Sequence, residues 1–230
     1  MSGFAAMNGE PDGAPLLPPI ALTDEVAALA GAFAVMVALH HRASSGVGQV
    51  VDVNLLESML QMMSALPSAA AHLDYDQPRL GSGIPYTVPR GTYRCADGKW
   101  VAVSTSAESV AARTLALVGA GDDPRFATFE GRAQHRDAVD AIVSAWIGAR
   151  PASEVIAAFE AAQAAIAPVY TMTELLADAH AQAREIVTDV DGVRQQGAVA
   201  RLSATPAELR HPGRPLGADT DDIVARLWER

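Results

Sequence analysis

One apolar run, residues 26–39, dominates the hydrophobic pattern of the chain, with acidic residues before it and basic residues after it. The pattern predicts a helix from Glu25 to about Arg42 with almost no polar face, so we expect it to be buried on most sides. Thr23 or Asp24 is the expected N-cap, because a short side-chain oxygen accepts the unpaired N–H groups of a first helical turn. The basic residues suit the negative end of the helix dipole.

A short strand and a second helix are expected directly after the first helix. Two glycines interrupt the helical pattern, and the valine-rich residues 50–53 predict a strand. Residues 55–65, rich in Leu and Met, predict the second helix. Proline, glycine and aspartate recur through residues 67–89, which we interpret as a connector at a domain boundary.

The second half of the chain begins with a hairpin pattern. Residues 92–95 and 100–103 are strand-like and flank Asp97-Gly98, a pair typical of tight turns. The elements expected after it are helices at 107–119, 135–149 and 152–163, a strand at 165–170, a helix capped by Thr173 and ending near 186, strands at 187–190 and 199–202, and a helix from about 220 to 230. Helices and strands are thus mixed without regular alternation, and no glycine-rich nucleotide motif follows a strand.

Composition restricts the classes of function. The 230 residues include 17 Lys and Arg against 27 Asp and Glu, a formal net charge of −10, which argues against nucleic acid as a partner. The N-terminus lacks the basic and apolar regions of a signal peptide, and the run at 26–39 is too short to span a bilayer. We therefore expect a cytoplasmic protein without a membrane partner. Cys95 is the single cysteine, and the six histidines lack ligand spacing, so no metal site is expected.

The strongest candidate for chemistry is Asp24, an acid at the start of a long helix. That helix leads into the sequence Ser45-Gly46-Val47-Gly48-Gln49-Val50-Val51-Asp52-Val53. An acid at a helix start is most often a cap, so the local pattern alone leaves a structural role open. A catalytic role is the alternative, since the positive helix end favours an ionised carboxylate.

These segments resemble the family III CoA-transferases, the CaiB/BaiF group, which includes α-methylacyl-CoA racemases. The family shares the aspartate, the long helix, the glycine turn and the Val-Asp-Val segment. Further matches in the family's order are Leu55-Leu56-Glu57-Ser58, the hairpin from Tyr93 to Val103, Asp123-Pro124-Arg125-Phe126, Ala167-Pro168-Val169 and Pro215-Leu216-Gly217. Glu25 departs from the family, whose members have a small or apolar residue after the aspartate.

The resemblance implies an α/β fold, a segment of the family's large Rossmann-like domain plus a smaller α+β domain. On this basis we expect residues 1–66 to form a large-domain segment with the catalytic helix and 67–89 a linker. Residues 90–179 would form the small domain, and 180–230 would return to the large domain. The chain matches the C-terminal part of the family.

The same resemblance implies that Asp24 is a nucleophile in transfer of CoA between an acyl-CoA and a carboxylic acid. Coenzyme A and acyl-CoA would be substrates, with no permanently bound cofactor. An upstream half or partner subunit would be needed, in a homodimer or in a complex with an N-terminal-half subunit. An acyl-CoA racemase or epimerase, and an inactive fragment or structural subunit, remain alternatives. Gly81, Ser82 and Gly83 lie near the place where some members have a glycine-rich loop that closes over the active site, and a flexible linker is the alternative.

Overall fold

The computed structural model describes residues 2–228. The described chain divides into two compact units, the first ending at Val169 and the second beginning at Tyr170. The mixed α/β class predicted from the sequence is confirmed. The finer division into four segments stays a prediction.

The first unit begins with four helices. These are α1 (Phe4–Met7), α2 (Leu22–Ser45), α3 (Leu55–Met62) and α4 (Leu66–Leu73). Asn54 caps α3 by accepting a hydrogen bond from the N–H of Glu57 at 2.9 Å. Helix α4 lies inside the segment that the sequence predicted to be a connector. Pro67 explains this difference. Proline is common in loops, so the composition suggested a connector, but the fixed φ of proline also fits the first turn of a helix.

Helix α2 has the predicted position but not the predicted surroundings. It packs against α3, and none of its residues is buried, whereas burial on most sides was expected. Large apolar side chains such as Leu29 and Phe33 are 73% and 74% exposed. Its 24 residues are long and apolar enough to cross a membrane. The sequence-based expectation considered only the apolar run, which is shorter than the helix that contains it. Only the length and composition of α2 suggest a membrane span, and core helices of soluble proteins have the same two properties.

The strand expected at residues 50–53 is absent among the described residues. Residues 47–54 have no regular secondary structure and no partner strand among the described residues, and Val50 is 95% exposed. A strand exists only where a neighbour accepts and donates the ladder hydrogen bonds, and none of the described strands pairs with this segment. The prediction was therefore wrong for the described chain.

A three-stranded antiparallel sheet follows, in the order β1 (Arg90–Arg94), β2 (Trp100–Ser104) and β3 (Ile166–Pro168). The predicted hairpin is confirmed, with Arg94 opposite Trp100. Gly98 lies in the turn at φ +82°, a conformation that glycine adopts without strain. One face of the sheet is buried and the other is open, because side chains alternate along each strand.

Helices cover the buried face. These are α5 (Glu108–Leu117), α6 (Phe129–Gln134), α7 (Arg136–Gly148) and α8 (Ala152–Ala161). The core combines Tyr93, Val101 and Val103 of the sheet with apolar residues of these helices, including Val139 and Phe159. Pro151 is the N-cap of α8. The sheet is thus supported from one side and presents its other face outward.

The second unit contains α9 (Met172–Ala177), α10 (Ala179–Ala183), β4 (Val187–Val190), β5 (Val193–Gln196) and α11 (Thr220–Trp228). Thr171, rather than Thr173, caps α9 through a capping box with Glu174. Asp178 ends α9 and caps α10, so the predicted single helix is two helices. The second strand is at 193–196 rather than 199–202, because the pairing of β4 with β5 leaves a two-residue turn. The predicted end of the last helix at 230 lies outside the described residues.

Candidate active site

Asp24 is the third residue of α2, and its side chain is exposed. The N-cap is Ala21, which makes no side-chain cap hydrogen bond, so the expectation that Thr23 or Asp24 caps the helix was wrong. The cause is that the chain enters the helix two residues earlier than the polar pattern suggests. No hydrogen bond or ion pair engages the Asp24 carboxylate within the described part of the chain.

The backbone around Asp24 adds a favourable electrostatic environment. The N–H of Glu25 donates to the carbonyl oxygen of Ala21 at 3.0 Å, whereas the N–H groups of Thr23 and Asp24 have no acceptor among residues 2–228. Unpaired N–H groups of a first turn form the positive end of the helix dipole, which stabilises a negative charge by roughly 0.3–1 kcal/mol. The same groups are donors suited to an oxyanion. Glu25, the departure from the family pattern, is also exposed.

The far end of α2 closes in a glycine turn. Gly46 has φ +74°, and its N–H donates to the carbonyl oxygen of Arg42 at 2.8 Å. The Ser45 hydroxyl donates to the carbonyl oxygen of His41 at 2.8 Å and accepts from the N–H of Val47 at 3.1 Å. Glycine is needed at the left-handed position, which explains why the helix ends here.

The loop of Gly81, Ser82 and Gly83 is a tight turn. Gly81 has φ +58°, and the N–H of Gly83 donates to the carbonyl oxygen of Leu80 at 2.9 Å. A Cβ on Gly81 would lie 3.0 Å from the carboxylate of Glu10, a flexible side chain that can move, so the positive φ is what favours glycine here. The Ser82 hydroxyl is exposed and lies 3.2 Å from the hydroxyl of Thr92 on β1.

Arginines hold this loop on both sides. Arg79 donates to the carbonyl oxygens of Ala6 and Glu10 in the N-terminal segment, at 3.3 and 3.2 Å. Arg136, the first residue of α7, donates to the carbonyl oxygens of Ile84 and Pro85 at 2.6 and 3.0 Å. The loop is therefore tied to its surroundings through backbone carbonyls, and the Ser82 hydroxyl contacts Thr92 of the sheet.

A cavity of about 360 Å³ lies where this loop meets the open face of the sheet. Its chemistry-bearing side chains are Ser82, Arg90, Thr92 and Ser104. Sequence reasoning missed the last three. The strand register explains their placement, because Arg90 and Thr92 are two positions apart on one face of β1 and Ser104 is paired with Arg90.

Beneath the sheet, Tyr93 anchors β1 to α7. Its hydroxyl donates to Oδ1 of Asp140 at 2.8 Å. Burial, followed by the nearby charge of Asp140, raises the pKa of Tyr93 far above its ordinary value. Burial also raises the pKa of Asp140, against the lowering effects of the Tyr93 hydrogen bond and of Arg136. This contact fixes the strand from which Arg90 and Thr92 project.

The structure does not join Asp24 to the glycine loop. Within residues 2–228 no hydrogen bond links Asp24 to Gly81, Ser82 or Gly83, and Asp24 does not line the cavity at Arg90. These two candidate regions are thus separate features of the first unit. No group of three or more His, Cys, Asp or Glu side chains with metal-binding geometry occurs among the described residues.

Comparison with known proteins identifies the relatives of the chain. It is 31% identical over 235 residues to a succinyl-CoA–D-citramalate CoA-transferase of Chloroflexus aurantiacus, covering 99% of this chain and 58% of that protein. It is 28% identical to a succinate–glutarate CoA-transferase of Agrobacterium fabrum, covering 99% and 58%. It is 29% identical to the alpha subunit of a succinyl-CoA–L-malate CoA-transferase of Chloroflexus aurantiacus, covering 99% and 55%. The chain spans little more than half the length of these relatives.

Solved structures share the fold. A CaiB/BaiF family protein from Brucella suis superposes with a TM-score of 0.80 at 24% identity, covering 98% of this chain and 60% of that one. A hypothetical protein from Mycobacterium tuberculosis gives a TM-score of 0.80 at 20% identity, covering 96% and 60%. The model of CoA-transferase family III matches residues 1–220. The chain therefore belongs to CoA-transferase family III.

Proposed function

We propose that this protein takes part in transferring CoA between an acyl-CoA and a carboxylic acid, with Asp24 as the nucleophile. The observation that carries the proposal is an exposed carboxylate, free of protein partners among the described residues, in the first turn of α2 of a family III chain. A capping or ion-paired aspartate would be occupied. This one is available to an incoming substrate.

The proposed reaction conserves the energy of the thioester. The Asp24 carboxylate attacks the thioester carbonyl, the carbon–sulfur bond breaks, and CoA leaves as a thiolate with an acyl-aspartyl anhydride left behind. The thiolate then attacks the aspartyl carbonyl, which releases the donor acid and leaves an aspartyl-CoA thioester. The acceptor carboxylate repeats these steps in reverse order. Covalent catalysis divides one difficult exchange into easier steps.

The groups around Asp24 suit both stages. Carboxylates are ordinarily ionised at neutral pH, so the nucleophile needs no general base. The unpaired N–H groups of Thr23 and Asp24 are donors for the oxyanion formed when a carbonyl is attacked. No step requires a metal ion or a permanently bound cofactor.

The substrate class follows from the relatives. Those compared above are named for transfer between succinyl-CoA or succinate and citramalate, malate or glutarate. Each of these acids is a short aliphatic dicarboxylate. We propose the same class for this protein, and the names support a transferase over a racemase.

The complete catalyst in this proposal contains more polypeptide than this chain. The chain spans 58% of its citramalate-transferase relative, and helix α2, which carries Asp24, has no buried residue. An apolar helix of 24 residues gains stability when it is covered. We propose that α2 is covered by polypeptide equivalent to the part of the relatives that this chain does not span. That polypeptide would be present in a homodimer or in a complex with an N-terminal-half subunit.

Complementation and kinetics test the proposal. The chain is combined with the N-terminal half of a relative, and CoA transfer from succinyl-CoA to glutarate is measured. Asp24→Asn should lower kcat by at least about a thousandfold, because it removes the nucleophile. Glu25→Gln is the matched control, since it neutralises the neighbouring exposed carboxylate and should leave kcat within a few-fold.

Two results would contradict the proposal. If Asp24→Asn kept the wild-type kcat in a complex that transfers CoA, Asp24 would not be the nucleophile. Exchange of deuterium into the α-carbon of an acyl-CoA, without CoA transfer, would assign the complex to the racemase branch instead.

A further inference from the structure

The cavity at Arg90 has the composition of an anion site, and its floor is the open face of the three-stranded sheet. Its volume of about 360 Å³ lies in the range of small-ligand pockets, which is roughly 300–1,000 Å³. The small or apolar lining residues are Gly91, Ala102, Val103, Ala165, Ile166 and Ala167. The polar lining residues are Ser82, Arg90, Thr92 and Ser104.

Arg90 is the one charged residue that lines this cavity, and it is half-buried. Its guanidinium has no hydrogen bond or ion pair with any described residue. By contrast, the neighbouring Arg136 donates to two carbonyl oxygens, and the buried Arg132 is paired with Glu108. A planar guanidinium with its donors unused is suited to bind a carboxylate through two parallel hydrogen bonds.

Three hydroxyls line the cavity together with Arg90. Ser104 is directly opposite Arg90 across the β1–β2 pair, and Ser82 and Thr92 lie 3.2 Å apart, oxygen to oxygen. Hydroxyls donate or accept according to their partner, so they add donors when an anion is present. The Gly81–Gly83 turn fixes the position of Ser82, and the Tyr93–Asp140 contact fixes the strand beneath.

Charge also favours an anion in this cavity. The chain has a formal net charge of −10, yet no carboxylate lines the cavity. Glu10 is close to Gly81 but is not among the lining residues. A single positive charge with hydroxyl donors and a small apolar floor matches a monoanionic carboxylate on a short aliphatic chain.

We propose that the cavity binds a carboxylate of a short aliphatic acid, with Arg90 as its specificity-determining residue. The identification of this acid as the CoA acceptor rests on the proposed function. A carboxylate held by Arg90 is occupied by its hydrogen bonds, so an acid that also accepts CoA needs a second carboxylate. The cavity thereby selects dicarboxylic acids over monocarboxylic acids of the same length.

Binding of succinate to the purified protein tests the site directly. Saturable shifts of the backbone amide signals of Ser82, Thr92 and Ser104 are expected in NMR titrations. Arg90→Gln should weaken succinate binding at least tenfold, and Arg90→Lys should weaken it less, since a charge remains but the fork is lost. Arg94→Gln is the matched control on the same face of β1, outside the cavity, and should change affinity less than twofold.

Three outcomes would overturn the site. These are the absence of saturable shifts, equal succinate affinity in Arg90→Gln and the wild type, and inorganic phosphate binding as tightly as succinate. Failure of the site is distinct from failure of the proposed function. If Asp24→Asn binds succinate normally and still transfers CoA in the complemented complex, the function fails and the cavity stands. If Arg90→Gln binds succinate normally while Asp24→Asn abolishes transfer, the cavity fails and the function stands.

Discussion

Arg132 donates from Nε to the carbonyl oxygen of Val88 at 2.9 Å, although 44 positions separate the two residues. The Arg132 side chain is 1% exposed, and its other nitrogens donate to the carbonyl oxygen of Phe126 at 3.0 Å and to the carboxylate of Glu108 at 2.8 Å. This one side chain therefore ties the segment before β1 to the elements around α5 and α6. The position of β1, which carries Arg90, depends on it.

Arg132→Met should destabilise the protein by about 2–4 kcal/mol. The change leaves the carbonyl oxygens of Val88 and Phe126 without their donors in a buried site. Urea unfolding followed by circular dichroism measures the loss. Arg125→Met is the control, because its guanidinium is 54% exposed and pairs with Asp123 at the surface. An equal loss of unfolding free energy in both variants would show that the buried contacts of Arg132 stabilise the protein no more than the surface pair of Arg125 does.

Gly131→Ala should cost about 1–3 kcal/mol of stability, because a Cβ there would lie 2.4 Å from the carbonyl oxygen of Arg125. The backbone must move to admit the methyl group. Gly148→Ala is the matched control in α7, since its Cβ would lie 3.6 Å from the carbonyl oxygen of Arg94, an ordinary contact. Thermal unfolding of the two variants should differ clearly, and similar midpoints would contradict the predicted close contact.

The stability contribution of Asp140 should decrease as pH rises. Burial raises the pKa of this carboxyl, so the folded state keeps its proton to a higher pH than the unfolded state does. The contribution is therefore fully present below the unfolded pKa, near 4, and is lost as pH rises through the folded value. Arg136 limits the shift, and Asp137 adds to it.

Asp140→Asn isolates this effect. The free energy of unfolding of the wild type, minus that of the variant, should fall between pH 4 and pH 7. The amide oxygen can still accept the Tyr93 hydroxyl, so the contact survives. Asp122→Asn, at an exposed position, is the control for removing a surface carboxylate. A wild-type advantage that grows with pH would contradict the assignment.

The exposed face of α2 should make the chain associate when it is purified alone. Leu29 and Phe33 are 73% and 74% exposed on this helix. Leu29→Glu with Phe33→Glu should reduce self-association in light scattering and should block assembly with an N-terminal half. Val199→Glu is the control, because Val199 is 99% exposed in the second unit. Equal behaviour of the control and the double variant would argue against α2 as the assembly surface.

Local turn chemistry made several elements predictable from the sequence. Asp97-Gly98 fixed the β1–β2 hairpin, since glycine there has φ +82°. Gly46 predicted the end of α2, where φ is +74°. In both cases the residue is a glycine, which adopts the observed positive φ without strain.

Features that depend on a tertiary partner were not predictable. The strand at 50–53 needs a neighbour, and none of the described strands pairs with it. The burial expected for α2 likewise depends on other polypeptide, because an apolar pattern shows that a surface needs covering but not what covers it. The Arg90 cavity requires a loop and a strand to meet, and no local pattern encodes that contact.

Asp24 is the residue on which the proposed chemistry depends, and the adduct it forms is directly measurable. The complemented protein is incubated with succinyl-CoA and treated with hydroxylamine, and its peptides are sequenced by mass spectrometry. We expect a hydroxamate on Asp24 in the wild type and in Glu25→Gln, and none in Asp24→Asn. An active complex with an unmodified Asp24, or with the adduct on another residue, would contradict it.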